Sequence, residues 1–214
     1  MARRTLTLTT LTTTAALLLT ACGGSGGGKT DDIKGADTGS KSPAASASAS
    51  APSGVKRPVI TLPSDFQLTF ANWTNSDPVK QAVLDDAKEE LRAGYAAIIA
   101  DDPDSKDVAF YDTEGVIGQT KSWIKSYTDK NVTVIGKLPA FGPKVTLART
   151  GRGASLSYCT DESKAYTKNR KTGKVQGNPA GTNPNVRYVV SLAKNPQGVW
   201  QNAGLHSERG GCSQ

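Results

Sequence analysis

Apolar residues fall along this chain in three textures, and each predicts a different kind of segment. From Leu6 to Leu19, leucine, alanine and threonine run together behind Arg3 and Arg4, which is the pattern of a positive n-region followed by a short h-region. The run is too short and too rich in threonine to span a membrane as a helix on its own. Residues 23–56 then carry almost nothing to bury, opening with Gly23-Gly24-Ser25-Gly26-Gly27-Gly28 and continuing in Ser, Ala and Pro from Ser42 to Pro52. That composition predicts a tether, whose r.m.s. span for about 34 residues is on the order of 30 Å. From Arg57 onward apolar and polar residues alternate with regular periods, and the folded domain is expected to begin there.

Within the domain, Val59 to Phe70 reads as extended chain interrupted at Pro63. Asp77-Pro78 marks a helix start, with Asp as N-cap and Pro at the first helical position, where its missing N–H is not needed. Val83, Ala87, Leu91, Tyr95 and Ile98 or Ile99 follow at helical spacing, with Asp85, Asp86, Glu89 and Glu90 expected on other faces. Asp101-Asp102-Pro103 ends this helix. A second amphipathic helix is expected from about Val116 to Tyr127, keeping Thr120, Trp123 and Ile124 on its apolar side. Everything after Asn131 has the period of strands. Val132 and Val134, Val145 and Leu147, Ala154, Leu156 and Tyr158, and Val186, Tyr188, Val190 and Leu192 alternate with mostly polar neighbours. Asn195-Pro196-Gln197-Gly198 makes a turn before a last strand that runs from Trp200 toward His206. Helices first and a four- or five-stranded meander afterwards predict an α+β domain, with N-terminal helices packed on one face of a curved antiparallel sheet.

Cys22 closes Leu19-Thr20-Ala21-Cys22 directly behind the apolar run. This stretch resembles the lipobox of bacterial lipoproteins, in which the cysteine stands first after the cut so that its thiol takes the diacylglycerol. The resemblance implies a signal peptide over 1–21, a lipidated Cys22 and tether over 22–56, and a folded domain over 57–214. It also implies a chain held by lipid on the extracytoplasmic face of the cell membrane. With Cys22 so used, Cys159 and Cys212 remain, and two cysteines in an exported domain most simply form one disulfide. Closing a loop of about 53 residues stabilises by about 4 kcal/mol in the chain-entropy model.

Charge refines this picture. The formal net charge of +7 falls to +5 when Arg3 and Arg4 leave with the signal peptide. Acids crowd the segment from Asp65 to Glu114, whereas Gly115 to Gln214 holds 15 bases against 4 acids. Outside the membrane, a basic half suits anionic headgroups, an anionic wall polymer or an envelope protein rather than nucleic acid, and solubility alone accounts for it equally well. Lys164, Lys168, Arg170, Lys171 and Lys174 surround Thr172-Gly173 with only Asp161 and Glu162 nearby. The segment is therefore either a solvated loop or a candidate surface-binding element.

The order of elements and several short stretches resemble the NTF2-like superfamily of cone-shaped folds, with its SnoaL-type and ketosteroid-isomerase-type domains. Closer still is the resemblance to lipid-anchored or secreted actinobacterial members. The stretches are Leu62-Pro63-Ser64-Asp65-Phe66, Cys159-Thr160-Asp161-Glu162-Ser163, Arg170-Lys171-Thr172-Gly173-Lys174, Gly198-Val199-Trp200 and the terminal Cys212. The resemblance covers roughly Arg57 to Cys212 and implies a cone whose interior holds a ligand or is filled by its own side chains. Its members range from isomerases and dehydratases to non-catalytic modules, so it implies no single activity.

Candidate chemistry is sparse. His206 is the only histidine, and period-2 counting puts it on the Trp200 face of the last strand. No residue matches a catalytic motif of the family by spacing, so no catalytic residue is assigned and an enzyme is not favoured. Asp101, Asp102, Asp104 and Asp107 lack the glycine and terminal glutamate of a calcium loop, and solvated helix-end acids describe them better. No cofactor motif or metal set is present: the glycines at 23–28 belong to the tether, and Gly151-Arg152-Gly153 precedes a strand. Tyr95, Trp123, Tyr127, Tyr158, Tyr188, Trp200 and His206 are the candidate pocket residues, unless the aromatics simply fill the core. The first reading is therefore a lipid-anchored binding or assembly module of the envelope, and the alternative is a small-molecule carrier or enzyme using the cone. Convergent ionisable groups around an open pocket favour the second, and a filled cone favours the first.

Overall fold

The computed structural model describes residues 55–212, so the expected signal peptide, Cys22 and nearly all of the expected tether lie outside the described residues. Strand β1 (Phe66–Ala71) leads into helices α1 (Pro78–Ala100), α2 (Lys106–Tyr111) and α3 (Ile117–Thr128). Strands β2 (Val132–Leu147), β3 (Gly153–Asp161), β4 (Lys164–Asn169), β5 (Val175–Gln176), β6 (Asn185–Lys194) and β7 (Trp200–Arg209) follow. Helices first, then a curled and mainly antiparallel sheet, is the α+β architecture expected from the sequence, and the chain has it.

Local chemistry sets the helix ends. Asp77 caps α1, its Oδ1 accepting the N–H groups of Val79 at 2.8 Å and Lys80 at 3.3 Å, with Pro78 in the first turn. At the other end Asp101 adopts a left-handed φ of 60° and returns its N–H to Ala97 and Ile98. Helix α2 is not among the expected elements, because six residues are too few to declare a period. It inserts Val108 and Tyr111 into the core.

The sheet departs from the expected meander. Strand β2 is a single 16-residue strand, and its partners change along its length. Leu147 pairs with Ala154 at one end and Val132 with Asn169 at the other, so β2 faces β3 and then β4 as one long hairpin. Residues Gly136 to Phe141 of β2 also pair with β1, in parallel. Since Gly136 faces both Phe66 and Ala165, and Ala140 faces both Phe70 and Thr160, β1 must occupy the opposite edge from β3 and β4. Strand β6 then adds to β3, β7 to β6, and β5 to β4, giving a seven-stranded sheet. At Gly136 φ is 95° and a Cβ would lie 2.2 Å from the Lys164 carbonyl oxygen, so only glycine fits.

Two apolar clusters hold helices to sheet. One gathers Phe66, Tyr95, Ile98, Tyr111, Ile124 and Leu138, and the other Trp73, Val83, Leu84, Leu156, Tyr158 and Trp200, with Phe70 and Leu91 packed against both. The disulfide Cys159–Cys212 is present with its Cα atoms 6.1 Å apart, tying the residue beyond β7 to β3.

Asp86 corrects the expectation that the acids of α1 all face outward. Three residues from Val83, it shares that buried face and is 2 % exposed. Its partners surround it: Arg57 donates from Nε to Oδ1 at 2.7 Å and from Nη2 to Oδ2 at 3.2 Å, and the Trp200 N–H donates to Oδ2 at 2.9 Å. One carboxylate thus fastens the start of the domain, α1 and β7 together. Arg57→Ala is expected to cost about 3 kcal/mol, since it leaves a buried carboxylate with a single donor. In urea unfolding, the Arg57→Ala and Asp86→Ala double-mutant cycle should show a coupling above about 1 kcal/mol. An Arg57→Ala protein within about 0.5 kcal/mol of wild type would show the pair to be decorative.

Candidate functional site

Glu90 lies one helical turn beyond Asp86, and at i, i+4 spacing both point from α1 toward the sheet. Here the two part company, for no base among the described residues meets Glu90. Its Oε1 receives only the Asn202 Nδ2 at 3.3 Å, a long contact, and its exposed part borders a cavity of about 260 Å³. Helices α1 and α3 wall that cavity on one side, with Glu90, Leu91, Tyr95, Gln119, Thr120 and Trp123. Strands β3, β6 and β7 wall it on the other, with Tyr158, Thr160, Tyr188, Asn202, Leu205 and Ser207.

Four aromatic rings shape the space. Tyr158 and Tyr188 are cross-strand neighbours, stacked with centroids 5.1 Å apart and planes 11° from parallel. Tyr95 and Trp123 meet edge to face at 5.4 Å. Trp123 comes this close because residue 94 is glycine: a Cβ there would stand 2.8 Å from the indole. The Tyr158 hydroxyl and Thr160 Oγ1 are buried in the cavity wall without a well-aligned hydrogen bond among the described residues. Unpaired polar atoms in such a wall are costly unless something enters to meet them.

The acids respond to this setting. Burial, reinforced by the nearby Asp112 and only partly offset by the Asn202 contact, pushes the Glu90 carboxyl up to about 8. Asp112, itself 3 % exposed, is also raised by burial, while Thr120 and Asn202 lie near enough to pull it back somewhat. Near neutral pH the Glu90 side chain is mostly a neutral acid able to donate a hydrogen bond. Tyr95 and Tyr158 are held well above the usual phenol range by burial and stay uncharged.

Of the seven expected pocket residues, Tyr95, Trp123, Tyr158 and Tyr188 border this cavity. Tyr127 instead lines a broader groove of about 440 Å³ on the other side of Tyr95. In that groove Arg209 and Glu162 satisfy each other at 2.6 Å. Trp200 is fully buried in the core under Lys194. His206 is exposed, and the reason is a bulge: the β6–β7 register shifts between Ser191 and Leu192, so inward positions pass from Trp200 and Asn202 to Leu205 and Ser207. Period-2 counting from Trp200 therefore puts His206 on the wrong face.

The basic segment divides as well. Arg170 turns inward and donates to the carbonyls of Ile98 and Ile99, closing the C-terminus of α1. Asn169 shapes the tip by accepting the N–H groups of Lys171 and Thr172. Lys164, Lys168, Lys171 and Lys174 are exposed and enter none of the salt bridges among the described residues. Near α2, Asp102 accepts the N–H of Asp104, and Asp104 pairs with Lys121. Among the described residues no group of three or more His, Cys, Asp or Glu is placed to hold a metal ion.

No family model matches the chain, and no curated protein matches it by sequence. Solved structures with a similar fold include an NTF2-like superfamily protein from Salmonella enterica, at 14 % identity and a TM-score of 0.42, covering 65 % of this chain and 96 % of its own. A ketosteroid isomerase-like protein from Erwinia carotovora covers 58 % of this chain and 94 % of its own, at 14 % identity and a TM-score of 0.39. Aln2 from a Streptomyces species covers 59 % and 90 %, at 12 % identity and a TM-score of 0.43.

The raised carboxyl predicts how stability follows pH. Folded Glu90 holds its proton up to about 8, whereas the unfolded chain releases it near the ordinary glutamate value of 4.5, so the native state binds the extra proton between those limits. Stability should therefore fall as pH rises through this window, by a few kcal/mol in all at about 1.4 kcal/mol for each pH unit between the two values, and Asp112 adds in the same sense. Glu90→Gln removes the titration, so it should flatten the profile and raise stability at pH 9. Urea unfolding at intervals from pH 5 to 9 measures this, and a profile no flatter in Glu90→Gln would count against the assignment.

Proposed function

We propose that this chain is a lipid-anchored extracytoplasmic protein whose cone-shaped domain binds a small molecule between α1, α3 and the sheet. The cavity carries this reading. The cone is not filled by its own aromatics: it keeps an aromatic-walled space bordered by Glu90 and by the unpartnered Tyr158 hydroxyl, the arrangement of a small-molecule site. Such a space favours the carrier or enzyme alternative over a purely structural assembly module. The membrane address rests on Leu19-Thr20-Ala21-Cys22 behind its apolar run, and the single disulfide suits an oxidising compartment.

Binding is testable with the uncharged fluorescent probe N-phenyl-1-naphthylamine, whose emission rises in apolar surroundings. Wild-type protein should enhance it saturably, and Leu205→Trp, which fills the cavity from β7, should abolish the enhancement while the unfolding midpoint stays close to wild type. Equal enhancement by both proteins would place the probe elsewhere and sink the cavity reading.

The anchor has its own test. Cys22→Ala should leave the membrane fraction or persist as an uncut precursor, since stable anchoring needs the acyl chains. Wild-type protein recovered soluble, with no lipid mass on its N-terminal peptide, would refute the anchor. Residual salt-sensitive binding of the Cys22→Ala protein to anionic vesicles would fall to Lys164, Lys168, Lys171 and Lys174.

A further inference from the structure

We infer that the cavity ligand is a small organic cation, an alkylammonium head of about the size of choline. The inference rests on the cavity being a binding site and concerns the charge of what enters it. Every described residue bordering the space is uncharged or acidic: Glu90 is the one ionisable carboxyl in the wall, and no Lys, Arg or His among the described residues borders it. The groups facing Glu90 add no positive charge from any side. Asp112, just beyond α2, brings a second acid close to it. Helix α3 offers Gln119, Thr120 and Trp123, strands β3 and β6 offer Tyr158, Thr160 and Tyr188, and β7 offers Asn202, Leu205 and Ser207.

An anionic ligand would meet Glu90, with Asp112 behind it, and no counter-charge, and a neutral apolar one would leave Glu90 and the Tyr158 hydroxyl unused. A cation uses both. Tyr95, Trp123, Tyr158 and Tyr188 line the space, and aromatic rings attract alkylammonium groups over their faces through the ring quadrupole. Glu90 supplies the counter-charge, giving up its proton to solvent as the cation enters, and an N–H-bearing head would also find the Tyr158 oxygen as an acceptor. The same missing base that leaves Glu90 protonated in the free protein makes a cation the ligand that restores its charge. Asp86, one turn away, already has this arrangement permanently in Arg57.

The test compares choline with its uncharged carbon isostere 3,3-dimethyl-1-butanol on the intact domain, followed by calorimetry or tryptophan fluorescence. At pH 8.5 choline should bind about tenfold tighter or more, a margin within the range of desolvated cation–π and ion-pair contacts. The margin should shrink toward pH 5.5, where Glu90 keeps its proton, and calorimetry in buffers of different ionisation heat near pH 7 should register proton release. Glu90→Gln should bring the two probes close to equal affinity, and Trp123→Leu should weaken choline more than the alcohol. If the alcohol equals or exceeds choline at pH 8.5 while N-phenyl-1-naphthylamine still binds, the cavity is a site for neutral molecules and the cation inference falls alone. If neither choline nor the naphthylamine binds, both readings fall together. The pH series on wild-type protein decides the matter even where a variant fails to fold.

Discussion

The structure turns on two acids one helical turn apart, and on only one of them having a base. Asp86 and Glu90 both face inward from α1, where an unpaired charge is too costly to keep. Arg57 reaches Asp86, and with the Trp200 N–H it converts that acid into a joint between the domain's first residues, the long helix and the last strand. Nothing comparable among the described residues reaches Glu90. It keeps a proton instead of a partner, and the space in front of it stays open.

That opening depends on how the sheet is built. Strand β2 takes a positive φ at Gly136, and its register with β3 slips between Phe141 and Lys144. The sheet curls around the helices, and Phe70 and Leu91 pack against both apolar clusters. Tyr95 belongs to one cluster and Tyr158 to the other, and the cavity lies between them with Leu91 bridging. Each ring in the walls packs on a second one, Tyr95 on Trp123 and Tyr158 on Tyr188.

Packing and electrostatics thereby favour the same outcome. The Tyr158 hydroxyl, left without a partner, shares the cavity wall with an acid whose ionisation is suppressed by burial. Other polar groups divide: Trp73 donates to the Ala140 carbonyl and Arg209 meets Glu162, while Tyr111, Asp112 and Trp200 also keep buried polar atoms without a partner among the described residues. What sets the group beside Glu90 apart is that it borders an open cavity, and this is the observation on which the proposed ligand site rests.

Local rules are enough to read much of this from the sequence. Asp77-Pro78 could only begin a helix, the 3.6 and 2.0 periods place α1, α3 and most strands, and two cysteines in a domain read as exported make one bridge. Side-chain type misleads where burial has to be judged. Asp86 and Glu90 sit at positions +3 and +7 from Val83, on its face, yet charge argues for solvent until Arg57 and Asn202, 29 residues before Asp86 and 112 after Glu90, come into reach. Arg170 looks like one of five equivalent bases, and only the fold brings the open carbonyls of α1 to it. The facing of His206 hangs on a bulge that leaves no mark in the alternation. Helices, turns and strands could be placed without the fold, because their signals lie within a few residues of one another. Which acid is paired and which faces a cavity was settled only once the chain had folded, because that depends on contacts between residues far apart along it.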